Sequence, residues 1–379
     1  MLFTRTIASQ IQKALQADPR VIIIYGPRQA GKTTLIHQTT AKMGQDAKIS
    51  FFTGDDLYAQ NLLGKNELTL LKRALAGTEL LIVDEAQRIE NIGLTLKLVL
   101  DNLGIKILVS GSASFDLANK LSEPLTGRTR TFFLYPLAYK EAQEKYQQTD
   151  QKTALEEMLR FGMYPRVHTL KSDQEKMDYL YEYINNYLYK DLLSFNRVKK
   201  PKKVIDLLAL LALQTGNEVS VAELAQNLAL SQKTVASYLD VLEKMFVLFN
   251  LRGFSRNLRK EIYKISKYYF WDLGVRNALI RNFNPLNLRQ DAGALLENWF
   301  IGERMKVAGN NFQPANFYFW RTYDQQEIDL IEEQNGGLFA YECKWKAGGK
   351  EKAPKDWART YGRAKFSFVN AENYFQYLT

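Results

Sequence analysis

The stretch VIIIYGPRQAGKT, residues 21–33, decides the fold of this 379-residue chain. Its first five residues are apolar and mostly β-branched, as in a buried strand, and the run stops at Gly26. The next eight residues match G-x-x-x-x-G-K-[ST], a phosphate-binding pattern when it lies between a strand and a helix, which is its predicted setting here. The stretch therefore predicts a phosphate-binding loop (P-loop) at the end of a parallel strand.

The residues of this loop predict a site for a nucleoside triphosphate. The glycines let backbone amides converge on the β-phosphate at a helix N-terminus. Lys32 would place a positive charge between the β- and γ-phosphates, and the Thr33 hydroxyl can coordinate Mg²⁺. We therefore expect ATP and Mg²⁺ as cofactors, with the nucleotide-binding residues Gly26, Pro27, Arg28, Gln29, Ala30, Gly31, Lys32, Thr33 and Thr34.

Polar residues also follow the next two apolar runs. In LLIVDE, residues 80–85, the predicted strand ends in two carboxylates. We expect Asp84 to hold the magnesium through water and Glu85 to orient the water that attacks the γ-phosphate. Ser110, after the run at 105–109, could sense the γ-phosphate from the neighbouring strand, with a simple role in the turn as the alternative. These runs alternate with amphipathic stretches, which predicts an α/β fold with a parallel sheet.

Two arginines follow this region in GRTR, residues 127–130. Arg128 or Arg130 could reach the nucleotide of a neighbouring subunit as an arginine finger, and an ordinary solvated or salt-bridged arginine is the alternative. An arginine finger requires more than one subunit. We therefore expect a homo-oligomer, with a ring as one form.

A change of pattern ends this first domain, which we place at residues 1–145 and interpret as a P-loop ATPase core. The polar segment KEAQEKYQQTDQK, residues 140–152, separates it from residues with helical spacing. That spacing is broken by the Gly and Pro of FGMYP, residues 161–165, which predict a turn between helices. Residues 146–200 are therefore predicted to form a helical lid or connector.

The next domain is predicted at residues 201–282. Ser220 and Ser231 each precede a short apolar helix as N-cap residues, and the second helix carries small polar and basic residues at its start. The alternating segment EIYKI, residues 261–265, follows as a predicted strand. Two helices joined by a tight turn and followed by such a strand predict a winged helix-turn-helix.

The last domain, residues 283–379, carries a second group of carboxylates. Asp329 lies in one predicted strand, and Glu342 and Lys344 form E-x-K in the next, so that neighbouring strand positions bring the three together. Two carboxylates can bind Mg²⁺ there, with Glu297 from a helix as a third ligand, and the lysine can activate water or stabilise the pentavalent phosphate in phosphodiester hydrolysis. This arrangement predicts a restriction-endonuclease-like PD-(D/E)xK core, with a non-catalytic binding or structural module as the alternative.

The charge of the chain favours an anionic partner. Lys and Arg number 51 against 41 Asp and Glu, and the excess is clustered. Residues 344–365 hold eight basic residues against two acidic ones, and residues 252–268 hold six against one. Such patches attract a phosphate backbone, so we expect DNA as a partner, and a solvated basic face is the alternative.

Other features favour a cytoplasmic protein without a membrane partner. The one cysteine, Cys343, cannot form an internal disulfide, which fits a reducing compartment. The N-terminus lacks the apolar run and cleavage site of a signal peptide, and no stretch approaches ~18 uninterrupted apolar residues.

These motifs together resemble a known family of prokaryotic AAA-like P-loop ATPases, in which a winged helix and a C-terminal domain of unknown function with a PD-(D/E)xK-like core follow the ATPase. The resemblance implies ATP binding, ATP hydrolysis and a link to DNA. Two positions depart from the family pattern: Met163 stands where a second glycine is usual, and Ser110 where AAA sensors tend to have asparagine. The matching segments are GPRQAGKT (26–33), LIVDEAQ (81–87), VSGS (109–112), LTGR (125–128), FGMYP (161–165), ALLE (294–297), EIDL (327–330) and YECKW (341–345).

The leading hypothesis is thus an Mg²⁺-dependent ATPase that couples nucleotide binding and hydrolysis to DNA binding or remodelling, with a C-terminal domain that engages and could cleave the DNA. A second hypothesis is a nucleotide-gated switch that binds a protein, with the C-terminal domain as a non-catalytic scaffold. A third is a metal-dependent nuclease that the ATPase only gates.

Overall fold

The computed structural model describes residues 2–41, 43, 47–111, 124–194, 198–255, 266–346 and 352–378, with the side chains of Asp191 and Ser194 left out. These residues form two compact units. The first comprises Leu2–Tyr135 and Lys244–Phe246, and the second comprises Pro136–Glu243 and Val247–Thr379.

The first unit contains a sheet in which all observed pairings are parallel. Over the described residues its strand order is β2-β3-β4-β1-β5. Every residue of β1 and of β3 is buried, as expected for a parallel sheet that is covered on both faces. The predicted parallel α/β fold is confirmed. The strands are β1 (Val21–Tyr25), β2 (Ile49–Thr53), β3 (Leu80–Asp84), β4 (Lys106–Gly111) and β5 (Thr129–Phe133).

Helices connect these strands and cover the sheet. A core of buried aliphatic side chains forms where the first two helices pack on β1, with Ile11, Leu35 and Ile24 as fully buried members. Each such side chain contributes roughly 1.5–3 kcal/mol by its removal from water. The helices are α1 (Ala8–Ala17), α2 (Lys32–Thr40), α3 (Leu57–Gly64), α4 (Leu68–Ala74) and α5 (Ile92–Leu103).

The second unit begins with helices, as the spacing predicts. Asp150 and Ser172 each accept a backbone hydrogen bond as N-caps of their helices. A π-helical segment, Tyr183–Leu188, links two of them. The helices are α6 (Tyr139–Ala142), α7 (Gln151–Phe161), α8 (Asp173–Glu182), α9 (Tyr189–Ser194), α10 (Pro201–Leu213), α11 (Val221–Leu228), α12 (Gln232–Lys244), α13 (Leu273–Leu279), α14 (Ala292–Asn310) and α15 (Lys355–Thr360).

The sheet of the second unit joins two regions that we assigned to separate domains. Over the described residues its order is β12-β11-β10-β9-β7-β8-β6, and the parallel pairing of β7 with β9 makes it continuous. The predicted boundary at 282/283 therefore falls inside one compact unit. The strands are β6 (Glu218–Val219), β7 (Leu248–Gly253), β8 (Ser266–Phe270), β9 (Asn316–Arg321), β10 (Glu327–Gln334), β11 (Gly337–Cys343) and β12 (Lys365–Val369).

The region predicted as a winged helix contains the expected pair of capped helices. Ser220 accepts from the amide of Glu223 at the start of α11, and Ser231 accepts from the amide of Thr234 at the start of α12. Strands β7 and β8 then pair in antiparallel fashion. The predicted strand at 261–265 lies outside the described residues, and β8 begins directly after it.

The FGMYP turn is held by a buried carboxylate from a distant part of the chain. Asp272 accepts from the amides of Met163, at 2.6 Å, and Val275, at 3.0 Å. Gly162 has φ +76°, and a Cβ on it would lie 2.2 Å from Asp272 Oδ1. A Cβ on Gly274 would likewise lie 2.1 Å from the carbonyl oxygen of Phe161. The turn thus requires glycine at 162 and tolerates Met163 in the next position.

Within the described part of the chain, none of the helices combines the length and the apolar character needed to cross a bilayer.

Candidate functional site

The P-loop of the first unit connects β1 to α2 with the conformation its glycines allow. Gly31 lies at the N-cap of α2 with φ +94°, a region that glycine reaches without strain. A Cβ on Gly26 would lie only 2.1 Å from the carbonyl oxygen of Leu134, so a larger residue cannot replace it without movement. Thr33 and Thr34 are exposed at the first turn of α2, Arg28 and Gln29 are half-buried, and Pro27 and Ala30 are buried.

Lys32 lies inside the curve of this loop. Its side chain is buried, and Nζ donates to the carbonyl oxygens of Gly26 and Pro27, both at 3.0 Å. Glu85 Oε1 lies 4.0 Å from the same ammonium. The structure therefore brings the predicted lysine and the predicted catalytic glutamate together at the carboxyl end of the sheet.

Three polar side chains meet where β1, β3 and β4 end. Thr33 Oγ1 donates to Asp84 Oδ2 at 2.6 Å, and Ser110 Oγ donates to Asp84 Oδ1. The sheet order explains the contact, because β4 lies between β1 and β3. Ser110 thus touches the carboxylate predicted to hold the metal, a contact that our sensor interpretation did not include. Ser112 of the same turn lies outside the described residues.

The Thr33–Asp84 pair fits a magnesium ion in its chemistry. A hydroxyl and a carboxylate are hard oxygen ligands, and Mg²⁺ in proteins is held by one or two such groups together with substrate phosphates and water. Because Thr33 Oγ1 and Asp84 Oδ2 lie 2.6 Å apart, one ion could be held near both oxygens.

Glu85 is fixed by contacts that the sequence pattern does not reveal. Its backbone adopts φ +49°, and its Oε2 accepts from Gln87 Nε2 at 2.5 Å. A Cβ on Gly54 would lie 2.2 Å from the carbonyl oxygen of Glu85, so the chain just after β2 approaches this residue closely. Gln87 belongs to the LIVDEAQ segment but was not among our predicted site residues.

Arg5 is a second residue that sequence reasoning missed. Its buried guanidinium donates to the carbonyl oxygen of Ala30 in the P-loop, at 2.7 Å, and to that of Tyr135, at 2.6 Å. Arg5 lies outside every motif, so no local signal marks it.

The two candidate finger arginines lie at the other end of the sheet from the P-loop of their own chain. Val21, the first residue of β1, donates its amide to the carbonyl oxygen of Arg128 at 2.9 Å. The side chain of Arg128 pairs with Asp101, and that of Arg130 pairs with Asp18 at 3.2 Å. Because β1 spans five residues, about 16 Å separates Arg128 from the P-loop along the strand.

The carboxylates predicted in the C-terminal region lie around the β10–β11 pair of the second unit. Asp329 Oδ2 accepts from the amide of Cys343 at 2.7 Å, and Glu342 Oε1 pairs with Lys344 Nζ at 2.7 Å. Burial, followed by repulsion from Glu297 and Glu342, raises the pKa of Asp329 well above its usual value. Burial likewise raises the pKa of Glu297.

A lysine that was not predicted lies in this group. Lys267 of β8 is 1% exposed, and its Nζ lies 3.3 Å from Glu297 Oε1 and 2.5 Å from Glu327 Oε1. Burial alone would lower the pKa of Lys267, but attraction to these two carboxylates more than reverses that effect, so the ammonium stays charged. Among the residues that the structure describes, no group of three or more His, Cys, Asp or Glu side chains has an arrangement that would hold a metal ion.

Comparison with known proteins finds relatives that cover most of this chain. The first, named Uncharacterized protein Rv2008c, from Mycobacterium tuberculosis, is 30% identical over 346 residues, a match that covers 90% of this chain and 73% of that protein. The second, Uncharacterized protein MJ1544 from Methanocaldococcus jannaschii, is 24% identical over 369 residues, a match that covers 93% of this chain and 81% of that protein.

The chain belongs to the same family as the mycobacterial protein.

Family models divide this chain into three parts. An AAA domain matches residues 18–143, and two domains of unknown function match residues 152–286 (DUF8612) and 292–377 (DUF4143). The AAA match confirms the predicted AAA-like P-loop core. The winged helix, the nuclease-like domain and the individual site residues stay predictions.

A likeness to a solved structure is also found. AMPPCP-bound DnaA from Aquifex aeolicus is 19% identical and covers 62% of this chain and 87% of that chain, with a TM-score of 0.35. At this TM-score the likeness supports no conclusion about this chain.

Proposed function

We propose that this protein is an Mg²⁺-dependent ATPase that couples its nucleotide state to DNA binding or remodelling. The observation that carries the proposal is the arrangement at the carboxyl end of the first sheet. There a P-loop lysine, two hydroxyls and two carboxylates from three different strand ends meet within hydrogen-bond or ion-pair distance.

Each of these side chains has a role in the proposal. Lys32 and the loop amides bind the phosphates, and Thr33 and Asp84 hold the magnesium ion, which supplies charge neutralisation on the phosphate oxygens. Glu85, oriented by Gln87, accepts a hydrogen bond from the attacking water. Ser110 keeps the Asp84 carboxylate in place.

The ATPase assignment is tested with Lys32→Ala. Because this variant removes the charge that faces the phosphates, we expect ATP turnover to fall to background in a phosphate-release assay. Lys97→Ala, which changes an exposed lysine on α5, serves as the matched control and should keep wild-type turnover. Unchanged turnover in Lys32→Ala would refute the assignment.

DNA is the proposed partner, and residues 201–282 are proposed to act as a winged helix-turn-helix. The start of α12 supports this part, since Ser231, Gln232 and Lys233 are exposed there and Lys233 is positive. Lys267 of the basic segment is buried in ion pairs and takes no part in the DNA surface. The other basic residues of that segment at 256–265 lie outside the described residues.

The DNA assignment is tested by fluorescence anisotropy with labelled duplex, single-stranded and branched DNA, with and without ATP. We expect binding at low salt that weakens steeply as salt rises, and weaker binding by Lys233→Glu than by the control Lys97→Glu. Binding should also stimulate ATP turnover. If no DNA binds at low salt, the nucleotide-gated protein switch becomes the better explanation, while the ATPase assignment stands on its own test.

A further inference from the structure

Two carboxylates of the second unit, Glu297 and Glu327, pair with a buried positive charge that the chain itself supplies. We propose that the Lys267 ammonium occupies the place that a divalent cation would take among Glu297, Asp329 and Glu342. The cluster is then a closed ion-pair network that binds no Mg²⁺ and cleaves no DNA. This inference does not depend on the ATPase assignment, because it concerns a different unit of the molecule.

The first support is the position of Lys267. The residue belongs to β8, whereas the carboxylates come from α14, β10 and β11. Its side chain is buried, and its Nζ contacts Glu297 and Glu327 directly and lies 5.2 Å from the ring centroid of Phe319. A buried ammonium between two carboxylates is stabilised only while those carboxylates stay unprotonated and close to it, so it competes with any added cation.

The second support is that the carboxylate oxygens already have donors within the protein. Glu297 Oε1 accepts from Tyr269 at 2.5 Å as well as from Lys267. A Cβ on Gly216 would lie 3.2 Å from Glu297 Oε2, so that oxygen packs against the backbone of Gly216. A metal ion that ligated Glu297 through Oε1 would have to displace Lys267 or Tyr269 from that oxygen.

The other two predicted ligands are engaged in the same way. Asp329 Oδ2 accepts from the amide of Cys343, and Glu342 Oε1 pairs with Lys344, the residue predicted to activate water. Glu342 Oε2 has no hydrogen-bond partner among the described residues. Its charge is offset by Lys344, which pairs with the other oxygen of the same carboxylate.

Glu327 extends the network away from the predicted metal site. Its Oε2 lies 4.0 Å from Arg321 Nε, and Arg321 pairs in turn with Glu218 at 3.2 Å. Lys267 thereby connects β8 to α14 and β10 by charge. These ion pairs connect β6 and β8, from residues 201–282, to β9 and β10, from residues 283–379, within the second unit.

The direct test measures divalent cation binding to the wild-type protein without nucleotide, with Mn²⁺ as the probe in electron paramagnetic resonance titrations. We expect wild type and Asp329→Asn to give the same isotherm, and neither to cleave DNA with Mg²⁺ or Mn²⁺. A Mn²⁺ site that Asp329→Asn abolishes, or metal-dependent cleavage that this variant loses, would overturn the proposal.

A second test removes the lysine. Lys267→Met gives a side chain of similar length without the charge. We expect this variant to gain one Mn²⁺ site, so that its melting temperature rises on addition of Mn²⁺. Lys267→Arg retains the charge and should show neither gain. A folded Lys267→Met that gains no Mn²⁺ site would contradict the placement of the ammonium. If Lys267→Met fails to fold, the wild-type titration decides the question, and ATP turnover of Asp329→Asn shows separately that the ATPase is intact.

Discussion

At the scale of single residues, Arg5 shows how a side chain outside the motif supports the P-loop. Its guanidinium donates to the carbonyl oxygens of Ala30, in the loop, and Tyr135, which also belongs to the first unit. A charged donor makes stronger hydrogen bonds than a neutral one, and a carbonyl left without a donor in the interior costs free energy. Arg5 therefore holds the loop in its observed shape.

We predict that Arg5→Ala lowers the free energy of unfolding by about 2–4 kcal/mol and weakens ATP binding. Both carbonyl oxygens lose their donor, and the loop gains freedom that binding must then remove. Urea unfolding and calorimetric titration with an ATP analogue measure the two effects. Arg73→Ala, on the exposed side of α4, is the matched control and should change neither. Equal affinity and stability in Arg5→Ala would show that the loop keeps its shape unaided.

The P-loop itself was predictable because its information is local. The strand, the glycines, Lys32 and Thr33 lie within 13 residues, and the phosphate-binding pattern depends on their spacing alone. The contacts that the motifs do not reveal join residues far apart in sequence: 25 residues separate Arg5 from Ala30, 109 separate Asp272 from Met163, and 30 separate Lys267 from Glu297. An arginine, aspartate or lysine outside a motif gives no signal of its own. The sequence thus predicts candidate groups for the chemistry, but it does not reveal which side chains position or neutralise them.

At the scale of elements, the turn between α7 and α8 is built around the carboxylate that caps α13. Burial raises the pKa of Asp272, and its backbone hydrogen bonds from Met163 and Val275 oppose that shift. The carboxylate occupies the space where a side chain on residue 162 would lie. The turn and the start of α13 therefore form one packed contact within the second unit.

We predict that Gly162→Ala lowers the free energy of unfolding of the second unit by about 2–4 kcal/mol. The added methyl group would collide with Asp272, and φ +76° is strained for alanine. Gly336→Ala is the matched control, because Gly336 has a similar φ of +75° but no described atom lies within 4 Å of the point that an alanine methyl group would occupy. This variant should lower the free energy of unfolding by only about 1 kcal/mol. Thermal unfolding of both variants separates the collision from the backbone strain. Equal decreases in the free energy of unfolding would mean that the Asp272 side chain moves to accommodate the methyl group without cost.

The start of α14 gives a prediction for pH dependence. Burial opposes ionisation of Asp291, but hydrogen bonds and attraction from Arg289 and Arg276 lower its pKa to about 2. A lowered pKa contributes stability that is present above the unfolded value of 3.8 and is lost as pH falls through the folded value. With solvent screening, the contribution is about 1–2 kcal/mol. The stability difference between wild type and Asp291→Asn should therefore shrink between pH 5 and pH 2 in denaturant titrations. A stability difference that stays constant over this pH range would contradict the proposed role of the Asp291 charge.

At the scale of the whole molecule, the separation between the P-loop and Arg128 limits how Arg128 could act as an arginine finger. Both belong to the first unit, but they lie at opposite ends of β1. Arg128 cannot reach the nucleotide of its own chain without leaving Asp101 and crossing the sheet. If it stabilises charge in the transition state, it does so for the nucleotide of a second copy.

We therefore predict that Arg128→Ala lowers the turnover number for ATP by at least 10-fold while ATP affinity changes little, since a finger contributes in the transition state. Arg73→Ala, which changes an exposed arginine on α4, is the control. The decisive measurement mixes Arg128→Ala with Lys32→Ala. Each variant alone should turn over ATP more slowly than wild type. A mixed assembly pairs an intact P-loop from the first with an intact Arg128 from the second and should recover part of the turnover. Full activity of Arg128→Ala would exclude the finger, and a mixture without recovery, in assemblies shown by light scattering to exchange subunits, would exclude its action between copies.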